Sequence, residues 1–204
     1  MKAALFVDQR LALAKGDLVD TADEDAVRAG IGAFGHDAGK THHRITQDRQ
    51  AARILAPFAE GKRKDSARAP LPMLKNEYAA ALIETGKFDK AQEMLRSVLE
   101  DPAQSEFHPD AGNLTGIALD AQGHHKEAEK MFRRALDGWK GDPTSVMNNL
   151  SLNLASQGMF DEALTTLRRA QLMAPHKTEI ARNIQIVSDL RDAVVPKAPV
   201  SLKK

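Results

Sequence analysis

Hydrophobic and small residues recur at helical spacing through the C-terminal part of the chain. Ahead of each of three glycines, Gly86, Gly123 and Gly158, apolar or small positions lie three or four residues apart, and a second such stripe follows each glycine. This spacing places side chains on one face of an α-helix. The pattern predicts pairs of helices with a glycine in the turn of each pair. The residues expected in the core are Tyr78, Ala79, Leu82, Leu95, Val98, Leu99, Gly116, Leu119, Phe132, Ala135, Leu136, Leu150, Ser151, Leu154, Leu167 and Ala170.

The three turns share a spacing in which an alanine follows the glycine by five residues, at Ala91, Ala128 and Ala163. Glycine can adopt a positive φ at the end of a helix, and a small alanine allows two helices to pack closely. The glycines at positions 86, 123 and 158 are 37 and 35 residues apart, close to the period of about 34 residues of helix-turn-helix repeats. We therefore predict an all-α solenoid of about three repeats, with small insertions before the second and third.

Breaker residues divide the chain into four parts. Residues 61–71 are charged, poor in apolar residues and rich in breakers, which is typical of a linker. The repeat domain is expected over 72–192, ending in a capping helix that begins near Thr178, and 193–204 are expected to form a disordered tail. Residues 1–60 contain three shorter helical patterns and are interpreted as a helical N-terminal segment that could be one or two degenerate repeats.

The repeat region resembles the tetratricopeptide repeat (TPR) family over residues 72–192. Within that family, the stretches 116–123, 147–158 and 160–163 are similar to the TadD-type Flp pilus-assembly proteins of bacteria. The resemblance implies a non-enzymatic adaptor that holds a protein or peptide segment in a concave groove. It also implies pilus or secretion components as partners.

Composition restricts the classes of partner. The chain has 29 Lys and Arg residues against 28 Asp and Glu, so no overall field attracts nucleic acid. No apolar run reaches the roughly 20 residues needed to span a bilayer. We expect no nucleic-acid partner and no direct membrane insertion. Self-association through exposed repeat ends is an alternative function, and the oligomeric state stays open.

The expected location depends on the N-terminus. The chain as given shows no signal peptide and has no cysteine to carry a lipid. These features predict a cytoplasmic protein. Because TadD-type proteins are exported lipoproteins, the resemblance implies a periplasmic or outer-membrane location if the N-terminus is longer.

A nucleotide-binding or enzymatic N-terminal segment is the main rival function. The stretch from Gly35 to Thr41 is similar to a phosphate-binding loop, with Lys40 as its cation, but the first glycine of that motif falls on Phe34. No β-branched apolar run precedes it, as a buried strand would require. We interpret the stretch as a glycine-rich turn and predict no cofactor.

Histidines offer no convincing metal site. His36, His42 and His43 lack a carboxylate or cysteine at helical spacing and are interpreted as solvated. His125 occupies the position of Phe88 in the first repeat and of Phe160 in the third, so its ring is expected to pack. The sequence thus predicts neither a metal site nor a catalytic site.

Asparagines mark the predicted groove. Counting along the first helix of each repeat places an asparagine at corresponding positions, and an amide can both donate to and accept from a partner's backbone. The alternative is that these amides bond neighbouring helices or water. Cations for a carboxylate clamp are missing at Asn76, Ser145 and Asn149. The residues predicted to bind a peptide are Asn76, Asn113, Ile117, Asn148, Asn149, Leu152 and Asn183.

Overall fold

A computed structural model describes residues 71–194 and, before them, residues 49, 52–53, 55–57 and 59–61. Most of the predicted N-terminal segment, including the histidine-rich and glycine-rich stretch around Lys40, lies outside the described residues, as do most of the predicted linker and the predicted tail beyond Val194. Between positions 71 and 194 the chain forms α-helices, one short 3-10 helix and no strand. The helices are α1 (Leu71–Glu84), α2 (Phe88–Leu99), the 3-10 helix (Pro102–Phe107), α3 (His108–Ala121), α4 (His125–Gly138), α5 (Thr144–Ser156), α6 (Phe160–Met173) and α7 (Thr178–Val194).

The helices stack as three successive pairs followed by α7. Each helix packs against the next one along the chain. The first helices of successive pairs also touch, as α1 with α3 and α3 with α5, and α7 touches α5 in the same way. Contacts limited to neighbouring units are the defining feature of a solenoid. The prediction of an all-α solenoid of about three repeats with a capping helix is confirmed.

Small residues hold the two helices of each pair together. Ala91, Ala128 and Ala163 are fully buried, and the turn glycines have φ values of 75° at Gly86, 91° at Gly123 and 79° at Gly158. A positive φ suits glycine because it has no Cβ. The predicted core positions lie inside the fold, although Leu99, Leu119 and Leu136 are only partly buried.

The insertions in the repeat period are visible as extra backbone between pairs. The 3-10 helix separates the first two pairs, and the Asp101 side chain caps it by accepting a hydrogen bond from the backbone N–H of Ala103 at 3.0 Å. The first helix of the second pair therefore begins only at His108, after this insertion. A second insertion, around Gly141 with a φ of 91°, precedes α5.

Both ends of the solenoid are covered. At the C-terminal end, α7 buries Ile180, Val187 and Leu190 against the last pair, and its exposed residues include Arg182 and Gln185. At the other end, helical residues of 49–60 pack on the first pair through apolar contacts that include the buried Ala59. Glu60 Oε1 accepts hydrogen bonds from the Tyr78 hydroxyl at 3.0 Å and from Lys90 Nζ at 2.7 Å. No helix in the described part of the chain is long and apolar enough to cross a membrane.

Gly116 of α3 lies directly against the ring of Phe132 on α4. A Cβ added at this position would lie 2.6 Å from the ring of Phe132, whereas one added at Gly112 would meet the Ala135 Cβ at 3.4 Å. Phe132 is buried, so its ring has little room to move. Two glycines of one helix thus differ in the space available to a methyl group.

We expect Gly116→Ala to lower the free energy of unfolding by about 1–3 kcal/mol, because the added methyl overpacks the core. Gly112→Ala is the matched control, and its higher helix propensity should make it neutral or stabilising by up to about 1 kcal/mol. Urea denaturation followed by circular dichroism measures both. Equal stabilities of the two variants would contradict the close approach.

The start of α5 is held by an ion pair from the α6–α7 connection. Asp142 Oδ1 accepts a hydrogen bond from the backbone N–H of Thr144 at 2.9 Å, and Asp142 Oδ2 accepts one from Lys177 Nζ at 2.8 Å. Lys177 also donates to the hydroxyl of Thr144, which is buried, at 2.7 Å. Hydrogen bonds from Lys177 and then from Thr144 hold the pKa of Asp142 well below its usual range.

Because this pKa is lower in the folded than in the unfolded chain, Asp142 should stabilise the fold at neutral pH and lose its effect as the pH falls below about 4. The melting temperature of Asp142→Asn should therefore lie below that of the wild type at pH 6, and the difference should begin to narrow as the pH falls below about 4. The control is Asp137→Asn, since Asp137 is exposed and has no ion pair among the described residues. A difference in melting temperature between Asp142→Asn and the wild type that does not change with pH would contradict an ionic contribution of Asp142 to stability.

Candidate partner-binding groove

Asparagine pairs connect the first helices of successive repeats. Asn149 Nδ2 on α5 donates to Asn113 Oδ1 on α3 at 3.1 Å, and Asn183 Nδ2 on α7 donates to Asn148 Oδ1 on α5 at 2.7 Å. The acceptors Asn113 and Asn148 are 35 residues apart and the donors Asn149 and Asn183 are 34 apart, so the same pair recurs one repeat later. The sequence left two roles open for the asparagines, binding a partner or bonding neighbouring helices. In the structure these amides form hydrogen bonds to neighbouring helices.

The two pairs differ in exposure. Asn148 is 7% exposed and Asn183 is 4% exposed, whereas Asn113 and Asn149 are only partly buried. A buried amide pair serves the fold, because leaving either partner unpaired is costly. Only the Asn113–Asn149 pair can also reach a partner on the surface.

Asn76 has a different bond at the first repeat. The position on α3 that corresponds to the donor Asn149 of α5 is occupied by Leu114. Helix α3 therefore has no asparagine at the donor position to pair with Asn76. Instead Asn76 Nδ2 donates to the backbone carbonyl of Phe107 at 3.2 Å, at the end of the 3-10 helix. Asn76 Oδ1 is buried and has no partner among the described residues. Asn76 therefore fastens α1 to the insertion that precedes α3.

The two apolar residues predicted for the groove lie at different depths. Leu152 is 1% exposed and belongs to the same core cluster as Ile180 and Val187 of α7. This burial corrects the expectation that Leu152 is open to a partner. Ile117 is partly buried and packs against both core clusters of the solenoid.

The accessible residues of the predicted groove thus lie on α3 and α5. Ser145 is exposed one turn before Asn149 on α5, and Ile117 is one turn after Asn113 on α3. Asp110, also on α3, is exposed as a residue, yet partial burial of its carboxyl raises its pKa above the usual range. The predicted contacts with a partner stay a prediction, and they concern Asn113, Ile117 and Asn149 rather than all seven residues.

Comparisons with known proteins agree with this helical arrangement. The tetratricopeptide-repeat profile matches residues 145–169, which include most of α5 and the first part of α6. A solved structure of the MamA RS-1 ArsTM double mutant superposes with a TM-score of 0.50 at 15% identity, covering 81% of this chain and 100% of that one. The chain has a TPR fold. No significant match was found among curated protein sequences.

A second polar cluster of the TPR solenoid lies between its second and third repeats. His125 Nδ1 donates to Asp120 Oδ1 at 2.5 Å, and Asn153 Nδ2 donates to the same oxygen at 2.7 Å and to the His125 carbonyl at 3.0 Å. Asp120 and Asn153 are buried. The sequence predicted a packing role for the His125 ring at this TPR position; in the structure the ring is half-buried and forms a polar contact.

The cluster continues toward the outer face of the solenoid. Gln157 Nε2 donates to Asn153 Oδ1 and to Glu129 Oε2, both at 3.0 Å, and Arg133 Nε donates to Glu129 Oε1 at 2.9 Å. Burial acts to raise the pKa of Glu129, but the hydrogen bonds from Arg133 and Gln157 outweigh it and hold the pKa below its usual range. This chain of bonds links three TPR helices, α3, α4 and α5.

Sequence reasoning missed this cluster because its members belong to different repeats. The one indication in the sequence was His125 at a position that is aromatic in the other repeats, because a half-buried imidazole needs a polar partner nearby. Within the described part of the chain, no three His, Asp or Glu side chains are grouped as metal ligands. The cluster accordingly joins TPR helices and lacks the donor set of a metal centre.

We expect Asn183→Ala to cost about 1–3 kcal/mol of unfolding free energy, since Asn148 Oδ1 would be left buried without a donor. Asn149→Ala removes the equivalent donor from the half-exposed pair, where water can replace it, and should cost less, about 1 kcal/mol or below. Chemical denaturation of the two variants measures the difference. A larger loss for Asn149→Ala would contradict the division into a buried pair and an accessible pair.

Proposed function

We propose that this protein is a non-enzymatic adaptor that holds a segment of a partner protein across α1, α3 and α5, with Asn113, Asn149 and Ile117 at the centre of contact. The TPR fold supports a role in protein interaction. The observation that carries the proposal is the half-buried Asn113–Asn149 pair on the line of first helices, next to an apolar side chain.

The amide pair has the hydrogen-bonding groups that a peptide backbone needs. Within the described residues, Asn113 Nδ2 and Asn149 Oδ1 form no hydrogen bond, although the other end of each amide is fixed by the 3.1 Å bond between them. A donor and an acceptor held in place match the C=O and N–H of an extended or helical segment. Ile117 adds apolar contact area beside them. Such a site binds a backbone without demanding one particular sequence.

The TadD-type resemblance supports a narrower setting for this adaptor. The similar stretches, residues 116–123, 147–158 and 160–163, include Ile117 and Asn149 of the proposed contact. We therefore propose components of a bacterial Flp pilus or secretion apparatus as the partner class. Pilus components among the captured proteins would support this setting.

Ser145→Arg is the variant that tests the groove. Ser145 is exposed and one turn from Asn149, so the long cation should cover the contact without disturbing the core, whereas an arginine at the buried Leu152 would unfold the protein. The matched control is Thr165→Arg, an exposed hydroxyl residue on α6 that bonds only its own helix at Asp161. Partners are captured from a native lysate, identified, purified and titrated by calorimetry.

The expected result is a partner that binds the wild type and Thr165→Arg equally but binds Ser145→Arg at least tenfold more weakly. Losing about 1.4 kcal/mol of binding free energy is sufficient for that factor. Hydrogen exchange of the complex should protect α3 and α5. If every captured protein binds Ser145→Arg as tightly as the wild type, the groove is not the binding surface.

A further inference from the structure

Arginines recur at one repeat position on the outer face of the second helices. Arg96 on α2, Arg133 on α4 and Arg168 on α6 each follow the packing alanine of their helix by five residues, and Arg134 and Arg169 come next in the last two repeats. All five residues are exposed. We call these five residues the arginine row. It lies on the helices that alternate with those of the groove.

Most of the row forms no ion pair within the described residues, although Glu100 lies one turn from Arg96 and Asp137 one turn from Arg134. Arg133 Nη2 pairs with Glu162 Oε1 at 2.6 Å and Arg133 Nε with Glu129 Oε1 at 2.9 Å. The first of these bonds crosses from α4 to α6, which shows that the two outer faces adjoin. Among the described residues, the other four arginines of the row form no ion pair. Exposed cations that the fold does not neutralise are available to an anionic partner.

An exposed apolar pair continues the row at the end of α6. Leu172 is 85% exposed and Met173 is 51% exposed. Leu172 lies four residues after Arg168 and Met173 four residues after Arg169, so cations and apolar side chains share one face of the helix. The position of Leu172 is taken by Glu100 in the first repeat and Asp137 in the second. Only the third repeat replaces that acid with an aliphatic residue.

We propose that the arginine row docks on an anionic phospholipid bilayer, with the end of α6 inserted at the level of the headgroups. A guanidinium pairs with phosphate through two parallel hydrogen bonds, and exposed aliphatic side chains gain free energy by entering the interface. A nucleic acid would satisfy the cations but offers Leu172 and Met173 little apolar contact. An anionic bilayer offers phosphates to the arginines and an apolar interior to Leu172 and Met173.

This docking does not depend on the proposed groove. The row belongs to α2, α4 and α6, whereas the groove belongs to α1, α3 and α5. A protein segment can therefore occupy the first helices while the second helices rest on a membrane. Failure of either proposal leaves the other intact.

The test is flotation of the full chain with lipid vesicles. One set contains phosphatidylcholine alone and the other about 30% phosphatidylserine, at salt concentrations of about 50 and 500 mM. The wild type should float with the anionic vesicles at low salt and detach at high salt. One basic residue near such a surface changes the affinity for it by roughly fivefold. The double variant Arg168→Glu/Arg169→Glu should therefore bind the anionic vesicles at least tenfold more weakly than the wild type.

Two further variants make the result specific. Leu172→Ser should bind several-fold more weakly than the wild type but keep the salt dependence. The control Lys87→Glu/Arg182→Glu makes the same change in net charge at exposed positions outside the row, and it should keep most of the binding. Circular dichroism confirms the fold of each variant.

Several outcomes would overturn the proposal. These are equal binding to neutral and anionic vesicles, unchanged binding of Arg168→Glu/Arg169→Glu, and an equal loss in the charge control. Binding of the row to a DNA duplex or to polyglutamate without binding to the vesicles would assign it to another class of partner and equally overturn the bilayer.

Discussion

Close packing of two helices across a small residue is the contact on which every other feature of this solenoid depends. Ala91, Ala128 and Ala163 have no exposed surface, and the absence of a side chain at Gly116 makes room for the ring of Phe132. A larger side chain at these points would move the second helix outward. Because each pair contacts only its neighbours, the spacing within one pair also sets where the next pair can stack.

Polar contacts between the pairs then determine how successive repeats align. Apolar surfaces tolerate small shifts, but a buried amide must meet its partner within hydrogen-bonding distance. The Asn148–Asn183 pair and the contact of Asn153 with Asp120 impose that requirement at the last two junctions. Fixing the first helices in this way also places Asn113 and Asn149 at the surface. The candidate groove is therefore built from the same kind of pair that holds the core.

The sequence predicted the parts of the fold that follow from local spacing. The turn glycines and the alanines that follow them predicted the pairs, and the helical stripe predicted core residues such as Leu82 and Leu167. Contacts between repeats were out of reach of such patterns. Leu152 is buried in a core cluster that includes residues of α7, and the bonds from Asn153 to Asp120 and to the His125 carbonyl depend on how α5 meets the second repeat. The asparagines were found as a recurring feature, but their division into buried and accessible pairs needed three-dimensional contacts.

The two sets of helices use their polar residues differently. On the first helices, the amides of Asn148 and Asn183 are consumed by the fold, and the surface that remains is uncharged at its centre. On the second helices, by contrast, only Arg133 of the arginine row is engaged by carboxylates of the described residues. A stable solenoid does not need the other four arginines, since exposed charges add little to folding. Exposed charge that folding does not require, next to an aliphatic residue as open as Leu172, is the surface that the proposed docking on a bilayer would use.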